Sequence, residues 1–212
     1  MRPLTERQYR RREKILATAR DLITRHGYEG VTMRELAEKA NVTPKTLYHQ
    51  FGNKENLLHI AVEERFRHTY QAINDHKMKK GIDKLFYIID AVAASAKKNQ
   101  VYAQALAPLT EAQATHPFLA IRLNTYRSAL QQIQDDGDFE GSVDIGLLTH
   151  VIYRNVHPLY STWYGASRVK PADFSKYNVS LVLSSLTTGY TGQQVVKMIK
   201  AMKKVLKKLD TN

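Results

Sequence analysis

Residues Thr32 to Lys54 read TMRELAEKANVTPKTLYHQFGNK. Thr32 and Glu35 have capping-box spacing, in which a hydroxyl takes the backbone N–H three residues on and the carboxylate returns the bond. They open a helix with Leu36, Ala37 and Ala40 inward that ends near Asn41. Thr43 caps a second helix and Pro44 takes its first position, where no backbone donor is lost; Gly52 ends it. Two short helices across Ala40-Asn41-Val42 have helix-turn-helix spacing, which lays the second helix in the DNA major groove. On a wheel of about 100° per residue, Leu47 and Phe51 point inward, Lys45, Thr46, His49 and Gln50 point outward, and Tyr48 lies on the flank. Lys54 puts a cation in the first turn of the following helix, where it and the positive dipole end both suit a phosphate. A polar outer face is also the ordinary state of a packed three-helix unit, so the wheel alone leaves both readings open.

Upstream, Thr5 and Gln8 form another capping-box pattern, and Ile15, Leu16, Ala19, Leu22 and Ile23 share one helical face until Gly27 supplies a stop. Downstream, Asn53 caps a long helix through Leu57, Leu58, Ala61, Val62 and Phe66. Together, Ile15-Leu16-Ala17, Ala19, Leu22, Gly27-Tyr28, Val31-Thr32-Met33, Leu36-Ala37, Ala40-Asn41-Val42, Thr46-Leu47-Tyr48, Phe51, Asn53-Lys54 and Leu57-Leu58 match in order and without gaps. They closely resemble the DNA-binding domain of TetR/AcrR-family transcriptional regulators. The resemblance implies an all-α chain: an N-terminal three-helix helix-turn-helix DNA-binding domain, then a larger C-terminal helical ligand-binding and dimerisation domain. It implies phosphate contacts from Thr32, Tyr48 and Lys54. Pro44, Lys45, Thr46 and His49 are then expected to face bases or the adjoining backbone, and Thr43, at the helix start, is counted with them among the DNA-binding residues. Two departures leave the operator open: the pair after Tyr48 is His49-Gln50, where many members carry an aromatic or His pair, and Lys45 stands where members vary.

The chain has 212 residues and a net charge of +12. Residues 1–55 hold 12 Lys and Arg against 7 Asp and Glu, and residues 190–212 hold 6 against 1. The basic excess therefore sits at the ends and favours a polyanionic partner. The arm Arg2–Lys14 reads either as a minor-groove or phosphate contact or as a solvated helix start. No cysteine is present, which excludes disulfides, thiolate metal sites and a cysteine nucleophile. The N-terminus has no signal-type apolar run, so a cytoplasmic chain is expected. Residues 177–196 are uncharged but too polar for a membrane span. The DNA-binding domain is assigned to 1–55 and the effector and dimer domain to 56–212. Residues 56–76 form the connecting helix, and the pattern breaks at Lys77–Gly81.

Beyond that break, periodicity predicts helices over 82–98, 100–114, 117–136, 143–164, 172–189 and 192–209. Nine of the twelve tyrosines lie beyond residue 60. Tyr102, Tyr126, His150, Tyr153, His157, Tyr160 and Trp163 are candidates for an aromatic ligand pocket, with core packing the alternative for each tyrosine. On 143–164, Leu147, Leu148, Val151, Ile152 and Val156 make an apolar face; the helix is expected to be buried against both its own core and a partner. With 172–189 it would build a four-helix homodimer interface, with Leu183 and Val182 in the contact. The last helix sets Val195, Val196, Ile199, Met202, Val205 and Leu206 against a row of lysines, read as a docked terminal helix. Glu63-Glu64 and Asp135-Asp136 read as solvated pairs. No catalytic motif appears. His116, His150 and His157 lack a convincing carboxylate partner for a metal, and no cofactor is expected. The expectation is a DNA-binding transcriptional regulator, not an enzyme: a repressor released from a palindromic double-stranded operator by a small, largely apolar or aromatic effector. The alternative is a basic nucleoid-architectural or membrane-associated protein without an effector.

Overall fold

The computed structural model describes residues 5–98, 101, 117–156 and 169–210. Among them all regular structure is helical: α1 (Glu6–Gly30), α2 (Met33–Ala40), α3 (Pro44–Phe51), α4 (Lys54–Asp75), α5 (Gly81–Lys98), α6 (Pro117–Asp135), α7 (Ile145–Val156), α8 (Pro171–Leu183) and α9 (Gly189–Asp210). One isolated antiparallel bridge, Phe139 to Thr187, is the exception. The chain packs as two units divided between Thr69 and Tyr70, inside α4.

In the first unit, α1 opens with the full Thr5–Gln8 box and breaks at Gly27, whose φ of 72° is open to glycine but strained for other residues. Its buried stripe is the expected one, Ile15, Leu16, Ala19, Leu22 and Ile23. It packs on α2, and α2 on α3. Leu47 and Phe51 of α3, and Leu57, Leu58, Ala61 and Val62 of α4, are fully or almost fully buried and complete this core. Each of the larger of these side chains contributes about 2 kcal/mol of burial. The basic arm is no loose segment over its described part. Arg12 lies on α1 with its guanidinium 5.2 Å from the Phe51 ring centre and 2.8 Å from a Glu64 carboxylate oxygen. Glu64 is thus a packed partner rather than a solvated charge, while Glu63 pairs with Arg67 on the same helix.

In the second unit, α8 packs on α5, α7 and α9, and α9 also touches α5. Helix α8 is shorter than the predicted 172–189. Beyond Leu183 the chain turns to pair with residues 138–140: Glu140 N donates to Leu186 O, and Thr188 N to Asp138 O. The hydroxyls of Ser184 and Thr187 take the carbonyls of Leu181 and Leu183. Helix α9 starts at Gly189 and runs through Gly192, so the break lies earlier than the glycines suggest. Asp138, buried, closes that start by accepting from Thr191 N at 3.1 Å and Thr191 Oγ1 at 2.7 Å. Asp136 is likewise no solvated charge. It accepts from Gly81 N at 3.0 Å and sits 3.4 Å from Lys80, fastening the start of α5 to the end of α6.

Candidate nucleic-acid interface and ligand-body residues

Helix α3 is held by its ends. Thr43 Oγ1 accepts from Thr46 N at 3.2 Å, and Pro44 stands in the first turn. Gly52, with φ of 80°, closes the helix by donating its N–H to Tyr48 O. Asn41 ends α2 in the left-handed region (φ 56°, ψ 52°), turning the chain sharply between the two helices. Asparagine tolerates this conformation better than most side chains do. The buried pair Leu47 and Phe51 fixes the rotation of α3. Lys45, Tyr48 and His49 are therefore exposed and Thr46 half-exposed. The Thr46 hydroxyl lies 2.9 Å from that of Thr43, so one hydroxyl donates to the other at the helix start.

Thr32 caps α2 by accepting from Glu35 N at 3.2 Å. Only half of the expected box forms. The Glu35 carboxylate turns instead to His26 at 3.3 Å and Lys39 at 3.9 Å. Asn53 caps α4 through Asn56 N at 2.8 Å, and Lys54 takes the first turn. Its ammonium donates to Glu29 O at 3.1 Å, which holds the charge near the helix start. Tyr28 reaches Glu55 O at 3.4 Å, with its hydroxyl pKa raised by burial and by the neighbouring Glu29 and Glu55 charges. The first unit thus presents a helix with an exposed, polar, donor-rich side between Thr32 and Lys54. Such a surface can donate to phosphate oxygens and to base edges.

Of the pocket candidates, Tyr102, His157, Tyr160 and Trp163 lie outside the described residues, as does His116. Tyr126 is fully buried on α6, and its ring meets that of Tyr153 on α7 edge-on, with centres 6.4 Å apart. His150 lies on the exposed side of α7. On that helix Leu148, Ile152 and Val156 are buried, whereas Leu147 is 65% exposed and Val151 is 38% exposed. The broad apolar face is thus split. Positions 148, 152 and 156 share the inner stripe, and 147 and 151 turn out of the subunit. On α8, Leu183 is fully buried while Leu181 is 44% exposed. Leu183 thus belongs to the subunit's own core and not to an interface.

Arg122 escaped the sequence reading. It lies on α6 at 5% exposure and donates from Nη1 to Tyr153 Oη at 3.3 Å. Buried Tyr70 on α4 is a further neighbour, and its hydroxyl pKa is pushed up to about 12, chiefly by burial. A signal was there: Arg122 stands four residues before Tyr126 and shares the register of Ala129 and Ile133, all buried. On α9, Val195 and Met202 are buried, while Lys197, Lys200 and Lys204 border an open groove of about 870 Å³ with Thr187, Gly192 and Val196. Among the described residues no three His, Cys, Asp or Glu side chains gather as a metal site would require. No helix among them is long and apolar enough to cross a membrane.

Residues 15–60 match the family described as bacterial regulatory proteins, tetR family. The HTH-type transcriptional repressor AcnR of Corynebacterium glutamicum is 44% identical over 57 residues, 26% of this chain and 30% of that repressor. The chain thus spans about a third of that relative's length. Two solved structures share the fold. The transcriptional regulator FadR from Bacillus subtilis, in complex with stearoyl-CoA, superposes with a TM-score of 0.69 at 19% identity, covering 82% of this chain and 98% of that one. A gamma-butyrolactone receptor (ArpA-like protein) superposes with a TM-score of 0.58 at 22% identity, covering 93% and 98%.

Proposed function

We infer, from the premise that this chain belongs to the tetR family of bacterial regulatory proteins through residues 15–60, that it is a cytoplasmic transcriptional repressor. It binds a palindromic operator as a homodimer and is released by a small ligand held in the second unit. The observation that carries this reading is the two-sidedness of α3. Leu47 and Phe51 lock one side into the core, leaving Lys45, Thr46, Tyr48 and His49 outward between Thr32 and Lys54. In the bound state Thr32, Tyr48 and Lys54 hold phosphates. Pro44, Lys45, Thr46 and His49 face bases or the backbone beside them, with Thr43 fixing the start of the reading helix.

A partner subunit would cover Leu147 and Val151 on α7 and Leu181 on α8, apolar side chains that one subunit leaves in water. Two copies related by a two-fold axis then read two inverted half-sites. Helix α4 gives the ligand a lever. Its first half, with Leu57, Leu58, Ala61 and Val62, belongs to the first unit, and its last turns, with Tyr70 and Ile73, belong to the second. A ligand that binds one position of α4 better than another shifts the population of the DNA-competent state by that difference in affinity. FadR holds stearoyl-CoA on the same fold, and the aromatic second unit of this chain suits a largely apolar or aromatic ligand.

Selection of bound sequences from a random duplex pool tests this reading. The expected result is one motif with two-fold symmetry, bound about 10³-fold or more over random duplex. Enrichment without a motif would replace the reading with that of an architectural protein, whose lysine rows bind DNA without sequence preference.

A further inference from the structure

We propose that the lysine row Lys197, Lys200 and Lys204 of α9, with the groove beside it, is a second DNA-binding surface that holds the sugar–phosphate backbone of a duplex without reading its sequence. This surface belongs to the second unit and is additional to operator reading by α3.

Helix α9 carries six lysines and one acidic residue, Asp210, at its last position. Its rotation is fixed by Val195 and Met202, both buried. Lys197, Lys200 and Lys204 therefore stand outward, three and four residues apart along one side of the helix. From the first to the last the axis rises about 10 Å. Like charges at these spacings repel one another, and none of the side chains lining the groove is acidic. The row thus sets up a positive field that a polyanion relieves. The groove itself is open, with a volume of about 870 Å³. Thr188 and Gln193 line it together with the lysines, and hydroxyl, amide and ammonium groups are the donors that meet phosphate oxygens.

The surroundings of the row select among polyanions. An anionic membrane holds an amphipathic helix by its apolar stripe, and on α9 Val195 and Met202 of that stripe are taken up by the subunit's own core. An acidic partner protein relies on an apolar or aromatic anchor in a pocket, and Val196 and Ala201 are the only apolar side chains of this lining. A duplex needs neither. It presents phosphates in a line, one per about 3.4 Å of axis on each strand, so a row about 10 Å long faces about three of them. Contact of this kind releases counterions and touches no base edge, which makes it sensitive to salt and indifferent to sequence. A regulator seated on its operator through α3 then holds a second stretch of duplex through α9.

The test is fluorescence anisotropy of the full-length protein on a labelled random-sequence duplex across a salt series. Lys45→Glu with Lys54→Glu silences the α3 side and serves as the background. On that background, duplex binding should persist at low salt. Adding Lys197→Gln, Lys200→Gln and Lys204→Gln should weaken it about tenfold or more, and should lower the slope of log affinity against log salt by about 0.9 per lysine, about 2.7 for the three. The three side chains are exposed, so the fold should survive. Arginine at the same positions should preserve affinity and slope, because the charge stays. Unlabelled duplex should displace the label better than polyglutamate or phosphatidylserine vesicles at equal charge. Four results overturn the proposal: the background protein binds no duplex, the glutamine substitutions change neither quantity, the arginine protein binds no better than the glutamine one, or polyglutamate or the vesicles compete as well as duplex. The last would give the row to an acidic protein or to a membrane. Operator selection with the unaltered protein is a separate measurement, so repression through α3 stands or falls independently.

Discussion

Replacing Lys54 with alanine tests the phosphate-facing reading through a quantity that only electrostatics moves. In the free protein the Lys54 ammonium spends one of its three donors on Glu29 O at 3.1 Å. Two donors remain for a phosphate at the start of α4. Removing one phosphate contact lowers the slope of log affinity against log salt by about 0.9. A two-fold homodimer carries two copies of the residue, so the slope should fall by about 1.8 on the selected operator. Each lost charge-assisted bond is worth about 1.5 kcal/mol, so affinity should drop by about tenfold per half-site. The loss should be the same on operator and on random duplex, because a phosphate carries no sequence information. Folding should suffer little, since the bond to Glu29 is exposed and its carbonyl can turn to water. Fluorescence anisotropy across a salt series reads both quantities. Lys176→Ala is the control: Lys176 pairs with Asp90 at 2.9 Å and Asp173 at 3.3 Å in the second unit, and its loss should leave the slope alone. An unchanged slope and affinity in Lys54→Ala would refute the phosphate role.

Other consequences concern assembly, pH and packing. Leu181→Lys should yield a folded monomer by sedimentation because that side chain is exposed within one subunit, whereas Leu183→Lys should unfold the subunit itself; a dimeric Leu181→Lys protein would move the interface elsewhere. Tyr70 binds its proton more tightly in the folded state, so its contribution is fully present below pH 10.0 and is lost as pH rises through about 12. About 3 kcal/mol of stability should disappear across that window and Tyr70→Phe should flatten the loss, as alkaline urea titrations would record. A Cβ on Gly81 would lie 2.4 Å from Ile133 N and 2.8 Å from Ala129 O, both backbone atoms. Gly81→Ala should therefore cost about 3 kcal/mol in denaturant unfolding, and a neutral result would mean that α5 and α6 separate easily.

Much of this protein is decided locally. Capping and stop signals act within three or four residues, so Thr5, Thr43, Pro44, Gly27, Asn41 and Gly52 could be read in order and stand where they were expected. The alternation of buried and outward positions on α3 follows from helical geometry, and it set Leu47 and Phe51 inward before any contact was known. What the sequence could not settle depends on groups far apart in the chain. Glu35 could have returned a bond to Thr32, but His26 and Lys39 compete for its carboxylate. Asp136 looked like a surface charge until Gly81, 55 residues away, came to meet it. The apolar run through Leu183 looked like one long helix, and pairing of residues 186–188 with 138–140 ended it early. Leu181 and Leu183 are alike as residues, and only the packing of α8 on its neighbours sends one to water and the other to the core. Arg122 is the sharpest case. Its charge predicts solvent, yet its place on the stripe of Tyr126, Ala129 and Ile133 carries it inside among phenols from three helices. Periodicity specifies which residues share a face; which face is covered, and by what chemistry, is a free-energy balance that exists only once the helices have met.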